Sequence, residues 1–397
     1  MAGHRAGRSR PAHASAGTAT VDGHSEEWLR KGFPWVYDAE IVAIDPSLRP
    51  GSELAIRARN GAALGTGILG EEPGTGSNVR IRRFRADEGP IDAALLTARL
   101  ADALARRRID DATDAYRIVH GENDGLPGIR IDRWADVLSI VLDSPSLERL
   151  TVPLLDAIEH VSASLVARGK GNTPRWVRGK PRAEVVVRER GLQFIARPED
   201  GQDAGLYCDL RDVRAWMAPH WTGRRVLNTF GHTGAFTVAA LAAGASEVVH
   251  VDLSPTYSAW AERNVAMNGL SAASFVVDDT LKALDRLRRT GERFGVVVLD
   301  PPAFSTSEGG AFSVERDYGV LAAQAVRVLE PGGWLVAVVH QGTVSPRQFQ
   351  QFLLDAEHRT GRTLRILHQG SPPIDFPAAL SFPESRYLKV SIVEIGR

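Results

Sequence analysis

The sequence predicts an α/β protein in which a doubly wound, mainly parallel sheet follows a small β-barrel and a central α+β unit. Three observations predict it. Between Arg225 and Phe304, apolar runs stop at polar or glycine-rich corners: Gly231-His-Thr-Gly234, then Asp252, then Asp300-Pro-Pro-Ala-Phe304. An open parallel sheet delivers ligand-binding groups in this way, at the carboxyl ends of its strands. From about residue 198 onward, strand-like and helix-like segments alternate, as βαβ units do. From about Trp28 to Arg85 the chain has short β-like runs with glycine turns, which is the pattern of a small barrel.

The length of 397 residues calls for two or three domains. Lys and Arg total 48 and Asp and Glu total 48, so any attraction for nucleic acid must come from local clusters. No apolar run approaches a membrane span, and no apolar h-region follows the start. The single cysteine, Cys208, excludes an intrachain disulfide and a cysteine-rich zinc site. The expectation is a cytoplasmic protein with no membrane contact and no metal.

Residues 1–24, rich in Ala, Gly, Ser, His and Arg, are expected to be a disordered basic tail. Residues 25–88 hold the barrel, with β-like runs at Gly51–Ala58, Ala63–Gly70 and Asn78–Arg85. Residues 92–109 are expected to be helical because Leu95, Leu96, Leu100 and Leu104 recur near helical spacing. The connector, 89–197, has strand-like runs at Arg117–His120, Gly128–Asp132, Val137–Leu142, Glu184–Arg188 and Leu192–Ala196, with one helical run from Leu150 to Ala167. This pattern reads as an α+β unit of antiparallel strands. Residues 198–397 hold the doubly wound sheet.

Within that sheet, Arg224–Phe230 is the first strand, and Gly231 to Gly234 turns the chain into a helix over Ala235–Ala243. Two glycines three apart let backbone approach a ligand at the helix N-terminus. Asp252 closes the second strand about twenty residues later, where an acid accepts from both ribose hydroxyls. Asp278 and Asp279 close the third strand, where a carboxylate would receive an adenine amine. These features suit an adenosine-containing cofactor, and a structural α/β turn is the alternative. A dinucleotide site wants G-x-G-x-x-G, and here Thr233 and Phe236 stand where close backbone approach is needed. No G-x-x-x-x-G-K-[ST] occurs, so S-adenosylmethionine fits best.

The fourth strand, from Phe294, emerges at Asp300, Pro301, Pro302 and Phe304. The prolines fix the backbone and remove its donors, leaving the carboxylate and carbonyls as acceptors. Phe304 offers a stacking face for a base taken out of its stack. A strand-terminating turn with a core Phe is the plainer alternative.

With these motifs in place, the chain resembles large-subunit ribosomal RNA methyltransferases that carry an N-terminal PUA domain. Lys31–Ile41 resembles the family's PUA start, Val119–Asp132 its central signature, and Gly205–Asp212 the lead-in to its catalytic domain. The resemblance runs from about residue 25 to the end. It implies a class I methyltransferase domain, Rossmann-like, with a seven-stranded and mainly parallel sheet behind a PUA-like barrel. It implies cofactor contacts from Asp209, Arg211, Asn228, Phe230, Gly231, His232, Thr233, Gly234, Asp252, Leu253, Ser254, Asn264, Asp278 and Asp279. RNA is the implied partner, probed as 23S ribosomal RNA or a precursor particle, and a homodimer is compatible with it.

Inside the catalytic domain, Asn228–Gly234, Val251–Asn264 and Asp300–Ser307 are more similar to the relative that makes 7-methylguanine than to the PUA-bearing relative, which makes 5-methylcytosine. Cytosine C5 is a poor nucleophile, and its methyltransferases activate it by thiolate attack at C6. In the family that cysteine follows the fifth strand; here Gly333–Val339 is followed by His340. Cys208 reads as buried packing. Guanine N7 has a lone pair and needs alignment only, and an exocyclic amine near Asp300 remains an alternative target. The site is therefore expected to comprise Asp300, Pro301, Pro302, Phe304 and His340, with His340 as a general base, an orienting donor or a structural strand-end histidine. His232 is read as a helix cap or a cofactor contact, and Arg316 with Asp317 as a solvated pair or a loop-ordering one.

Two basic clusters remain. One holds Arg168, Lys170, Arg175, Arg178, Lys180, Arg182, Arg188 and Arg190 around Trp176; the other holds Arg80, Arg82, Arg83 and Arg85. Alternating arginines on a strand would share one face and meet phosphates, and a solvated charge run is the alternative. Two rival functions stay open: an RNA-binding protein of this fold without catalysis, and a methyltransferase of a non-RNA substrate.

Overall fold

In a computed structural model of the chain, the described residues are 17–74, 78–158, 161, 164–169, 175–307 and 310–396. The N-terminal sheet contains β1 (Thr18–Val21), β2 (Trp35–Tyr37), β3 (Ile41–Ile44), β4 (Glu53–Arg57), β5 (Ala63–Leu69) and β6 (Val79–Arg85) in the order β2-β6-β5-β4-β1-β3. Helix α1 (Gly23–Arg30) follows β1, capped by Asp22, whose side chain accepts from the Ser25 N–H at 2.8 Å. The sheet closes on a core of Ala19, Val21, Leu29, Val36, Leu54, Ile56 and Ile81.

Two expectations fail here. Thr18–Val21 falls in the stretch expected to be a disordered tail, yet it pairs with β3 on one side and β4 on the other. Four residues carry little local signal, and the two-sided pairing orders them. Residues 1–16 of that tail lie outside the described residues. Nor do Arg80 and Arg82 of β6 offer an open phosphate-binding face. Arg80 and Arg82 are buried, and Arg80 donates to the Gly70 carbonyl at 2.7 Å and pairs with Glu72.

Helix α2 (Ala93–Arg106) packs Leu96, Leu100 and Ala103 onto the central sheet. That sheet holds β7 (Ala115–His120), β8 (Ile129–Trp134), β9 (Val137–Leu142), β10 (Ser164–Gly169) and β11 (Arg175–Arg178) in the order β11-β10-β9-β8-β7. The run read as helix from Leu150 to Ala167 divides: α3 is Thr151–Ala157, and Ser164 begins a strand parallel to β9. Leu165 and Val166 are buried there, so sheet pairing overrides a helix-compatible pattern. Hairpin β12 (Val185–Glu189) and β13 (Leu192–Ala196) packs Val187 and Phe194 into the core shared with Val226, Val296 and Val336. In the first basic cluster, Arg182 pairs with Asp136, Arg188 with Asp114 and Arg190 with Asp212. The side chains of Arg168, Lys170, Arg175 and Trp176 lie outside the described set.

The C-terminal part begins with α4 (Arg211–Met217), then alternates β14 (Arg225–Thr229), α5 (Ala235–Ala242), β15 (Glu247–Asp252), α6 (Pro255–Met267), β16 (Ala273–Val277), α7 (Thr280–Arg289) and β17 (Phe294–Leu299). The hairpin β18 (Phe304–Ser307) and β19 (Gly310–Ser313) precedes α8 (Val314–Arg327), β20 (Leu329–His340), α9 (Pro346–Thr360), β21 (Leu364–Gly370) and β22 (Leu388–Ile395). The seven-stranded sheet has the order β16-β15-β14-β17-β20-β22-β21. Its first five strands are parallel, and β22 is antiparallel to both neighbours. Strand β17 is buried at every position, which explains its unbroken apolar run. Chain order reverses between β14 and β17, the place where such sheets open a crevice.

Candidate active site

The turn after β14 is backbone under strain. Phe230 and His232 have φ of 52° and 50°, and Gly234 has 83°. Non-glycine residues in this region cost on the order of 1–3 kcal/mol each, so the surroundings must hold them. Gly231 N–H donates to the Val251 carbonyl at 3.0 Å and His232 N–H to Asp252 Oδ2 at 2.8 Å. Thr233 Oγ1 donates to the Gly205 carbonyl, and Asn264 Nδ2 to the Thr233 carbonyl at 2.8 Å. The glycines are required from behind. A Cβ on Gly231 would run into the buried His250 ring, and one on Gly234 would lie 2.8 Å from Ala261 Cβ.

The same bonds shape the acid at the end of β15. Asp252 accepts from His232 N–H through one oxygen and from Ser254 N–H, at 2.8 Å, through the other. The carboxylate is thereby fixed with lone pairs to spare, as a ribose diol requires. Ser254 caps α6 by accepting from Tyr257 N–H at 3.3 Å. Leu253 is half exposed beside the cavity, an apolar edge suited to a base. Asp279 caps α7 with one oxygen and lines the cavity. His232 Nε2 lies 2.8 Å from Asp203 Oδ1, and Asp203 also accepts from the Tyr257 hydroxyl. Burial opposes ionisation of Asp203, but these hydrogen bonds outweigh it and keep its pKa below the usual value.

At the end of β17, Asp300 Oδ1 and His340 Nε2 lie 2.8 Å apart. Burial disfavours the imidazolium, but the charge and hydrogen bond of Asp300, aided by Asp209, raise the His340 pKa to about 9. His340 is therefore charged at neutral pH and donates to Asp300. A charged imidazole cannot accept a proton, so the general-base reading gives way to an orienting donor. Asp209 accepts from the Tyr387 hydroxyl at 2.7 Å through Oδ2, while its buried Oδ1 has no hydrogen-bond partner among the described residues.

These corners share one cavity of about 900 Å³. Its far wall comes from the central sheet and the segment before β22: Arg117, His120, Arg130, Asp132, Asp143, Phe376 and Tyr387. Arg117 grips Asp132 through two nitrogens at 2.7 and 3.2 Å, and Arg130 pairs with Asp143 at 2.6 Å. Sequence reasoning gave none of these residues a role in the site. The available signal was the Val119–Asp132 signature, which holds His120, Arg130 and Asp132. Asp132, Asp143 and Asp300 are matched by Arg117, Arg130 and His340. Asp203, Asp209, Asp252 and Asp279 line the same cavity with no arginine or lysine partner among the described residues. The cavity is therefore acidic and favours a cation.

Several expected site residues lie elsewhere. Asn228 is buried and donates to Thr237 Oγ1 at 2.9 Å. Asn264 is buried and also accepts from Ile195 N–H at 2.9 Å, so it clamps the glycine turn to β13. Arg211 is buried in an ion pair with Asp375, and Asp278 turns to Arg286. None of these four lines the cavity. Phe304 sits on the β18–β19 hairpin, 63% exposed and off the cavity wall, because the chain leaves the sheet after Pro302. Asp209, Phe230, His232, Asp252, Leu253, Ser254, Asp279, Asp300, Pro301, Pro302 and His340 do come together. Gly231, Thr233 and Gly234 shape the turn beneath them.

A carboxylate locked at the end of the second parallel strand, a glycine turn without G-x-G-x-x-G and an acidic cavity fit the S-adenosylmethionine-dependent methyltransferases. Sequence comparison agrees. A family profile for S-adenosylmethionine-dependent methyltransferases matches residues 146–384, and one for a PUA-like domain matches residues 20–76. The chain belongs to that methyltransferase family. It is 33% identical over 384 residues to ribosomal RNA large subunit methyltransferase I of Enterobacter sp. (strain 638), covering 92% of this chain and 96% of the relative. The Salmonella arizonae protein of the same name is 32% identical, covering 92% and 94%. Among solved structures, SMU.776, a methyltransferase complexed with SAH, superposes with a TM-score of 0.87 at 21% identity, over 95% of this chain and 99% of that one. A methyltransferase from Streptococcus mutans gives 0.85 at 21% identity, with the same coverage. These two share the fold.

Proposed function

We propose that this enzyme methylates a guanine of large-subunit ribosomal RNA, at N7 or an exocyclic amine, rather than cytosine at C5. The RNA substrate rests on the names of its relatives and on the PUA-like domain. The choice of base is supported by one observation: at the strand end where the resemblance expects the C5 thiolate, the chain has His340, paired with Asp300. Cys208, the chain's one thiol, is buried, donates to the Leu206 carbonyl at 3.7 Å, and has a pKa pushed well up by burial. That environment disfavours the nucleophilic form.

Bound S-adenosylmethionine supplies an electrophilic methyl on a sulfonium. Asp252 and Ser254 would hold its ribose, and Leu253 and Asp279 its adenine. Pro301 and Pro302 wall the reaction corner with backbone that cannot donate. Methylation at N7 leaves a cationic base, and the acidic cavity, with Asp209 beside His340 at the reaction corner, favours positive charge. Methylation at C5 ends in a neutral base and gains less from that acidic lining.

Cytosine C5 is the second reading, because Cys208 borders the cavity. Transfer of labelled methyl to ribosomal RNA by a Cys208→Ala variant separates the two. Turnover within about threefold of wild type is expected. Loss of turnover with cofactor binding intact would favour cytosine.

A further inference from the structure

Above neutral Cys208 and charged His340, the far wall holds one more group with unassigned chemistry, His120. It ends β7, lines the cavity, and packs edge-on against Phe376 with ring centroids 5.3 Å apart. Its Nδ1 lies 3.1 Å from Arg117 Nη1. A guanidinium only donates, so Nδ1 must accept and the ring hydrogen sits on Nε2. Burial, then Arg117, Arg107 and Arg130, lower the His120 pKa to about 2 and keep the ring neutral. No protein acceptor takes the Nε2 hydrogen among the described residues. The side chain is thus a neutral donor with a fixed tautomer and an unused hydrogen on the cavity wall.

That wall is continuous with the reaction corner. His120 and Tyr387 have ring centroids 6.3 Å apart, the Tyr387 hydroxyl donates to Asp209, Asp209 lies 3.9 Å from His340, and His340 donates to Asp300. Asp252 connects to the same wall less directly: its backbone partner His232 stands 5.1 Å from the Tyr207 ring, and Tyr207 stands 6.5 Å from His340. His120 is thus on the cavity lining and linked through Tyr387, Asp209 and His340 to Asp300.

Resting on the proposed reading of this site, we infer that His120 reads the target base by donating from Nε2 to a carbonyl oxygen, which in guanine is O6. O6 and N7 share one edge of guanine. A donor that holds O6 also sets the direction of N7, and it rejects adenine, which presents an amine at that position. Arg117 positions the imidazole and leaves no second freedom, because its other nitrogens grip Asp132.

The test uses the full-length enzyme, with ribosomal RNA carrying either guanine or 2-aminopurine, which lacks the 6-oxo group, at the nucleotide that wild type methylates. His120→Phe is expected to lower kcat/KM on guanine RNA by about 10- to 100-fold. His120→Gln, which keeps an amide donor, is expected to recover most of it. On 2-aminopurine RNA, wild type and His120→Phe should perform alike, a result that a merely structural role would not produce. Binding of S-adenosylmethionine, measured by calorimetry, should stay within twofold in both variants and so report the fold. An equal loss on both RNAs, or weakened cofactor binding, overturns the assignment of His120. Wild type methylating no guanine overturns instead the reading of the site on which it rests.

Discussion

His340 and Asp300 show how two residues decide what a site can do. Separately, a strand-end histidine and a carboxylate suggest a base and an acceptor. Joined at 2.8 Å, they become an ion pair that holds its proton to about pH 9. The sign of its effect on stability follows. The folded pKa lies above the ordinary 6.5, so the contribution is fully present below about pH 6.5 and is lost as pH rises through 9. Unfolding free energy measured across this window should fall more for wild type than for His340→Gln, and parallel curves would contradict the pairing. Asn264 teaches the converse. It stands in a motif that suggests the cofactor, but both ends of its amide are engaged by backbone of β13 and the glycine turn. A sequence motif records that a residue is needed near a site without saying which way its side chain faces.

At the scale of elements, the strands of the C-terminal sheet were legible because each is an apolar run ending at a chemical corner. Asp252 and Asp300 drew a functional reading because they stand at carboxyl ends of strands around the reversal in chain order, and both line the cavity. Legibility fails where an element depends on a distant partner. β10 forms because β9 accepts it in parallel register, and no local period announces that. The far wall of the site was missed for the same reason: Arg117 and His120 enter across an interface between separate sheets, far in sequence from Asp300. The glycine turn was read correctly as a tight corner, but its constraint comes from packing against His250 and Ala261. Gly234→Ala should therefore destabilise the fold by about 1–3 kcal/mol, with both positive φ and Ala261 opposing the methyl. Equilibrium denaturation checks this, and an unchanged midpoint would refute it.

Across the whole molecule, contacts that join the PUA-like domain to the rest include aromatic packing on Phe382 and a hydrogen bond to Glu122 of the central part. Trp35 packs edge-on against Phe382 with centroids 4.6 Å apart, and its Nε1 donates to Glu122 at 2.8 Å. Phe382 lies in the same segment as Phe376 and Tyr387, which wall the cavity. Trp35→Ala should lower stability by about 2–4 kcal/mol, through lost packing and a half-buried carboxylate stripped of a donor. Denaturant unfolding measures it, and a change below about 0.5 kcal/mol would show that the domains are held by other contacts. No helix among the described residues is long and apolar enough to cross a membrane. The formal charge is zero, and the described ion pairs compensate much of both arginine clusters, so the sites of RNA contact are not marked by net charge alone.

The central claim is that the acidic cavity between the central and C-terminal parts of this chain delivers a methyl group to a guanine of ribosomal RNA. Nucleoside mass spectrometry of large-subunit ribosomal RNA, from cells with and without the protein, tests it most directly. The account predicts that one methylated guanosine disappears when the protein is absent and returns with wild type or Cys208→Ala. Disappearance of 5-methylcytidine, with guanosine methylation unchanged, would contradict it.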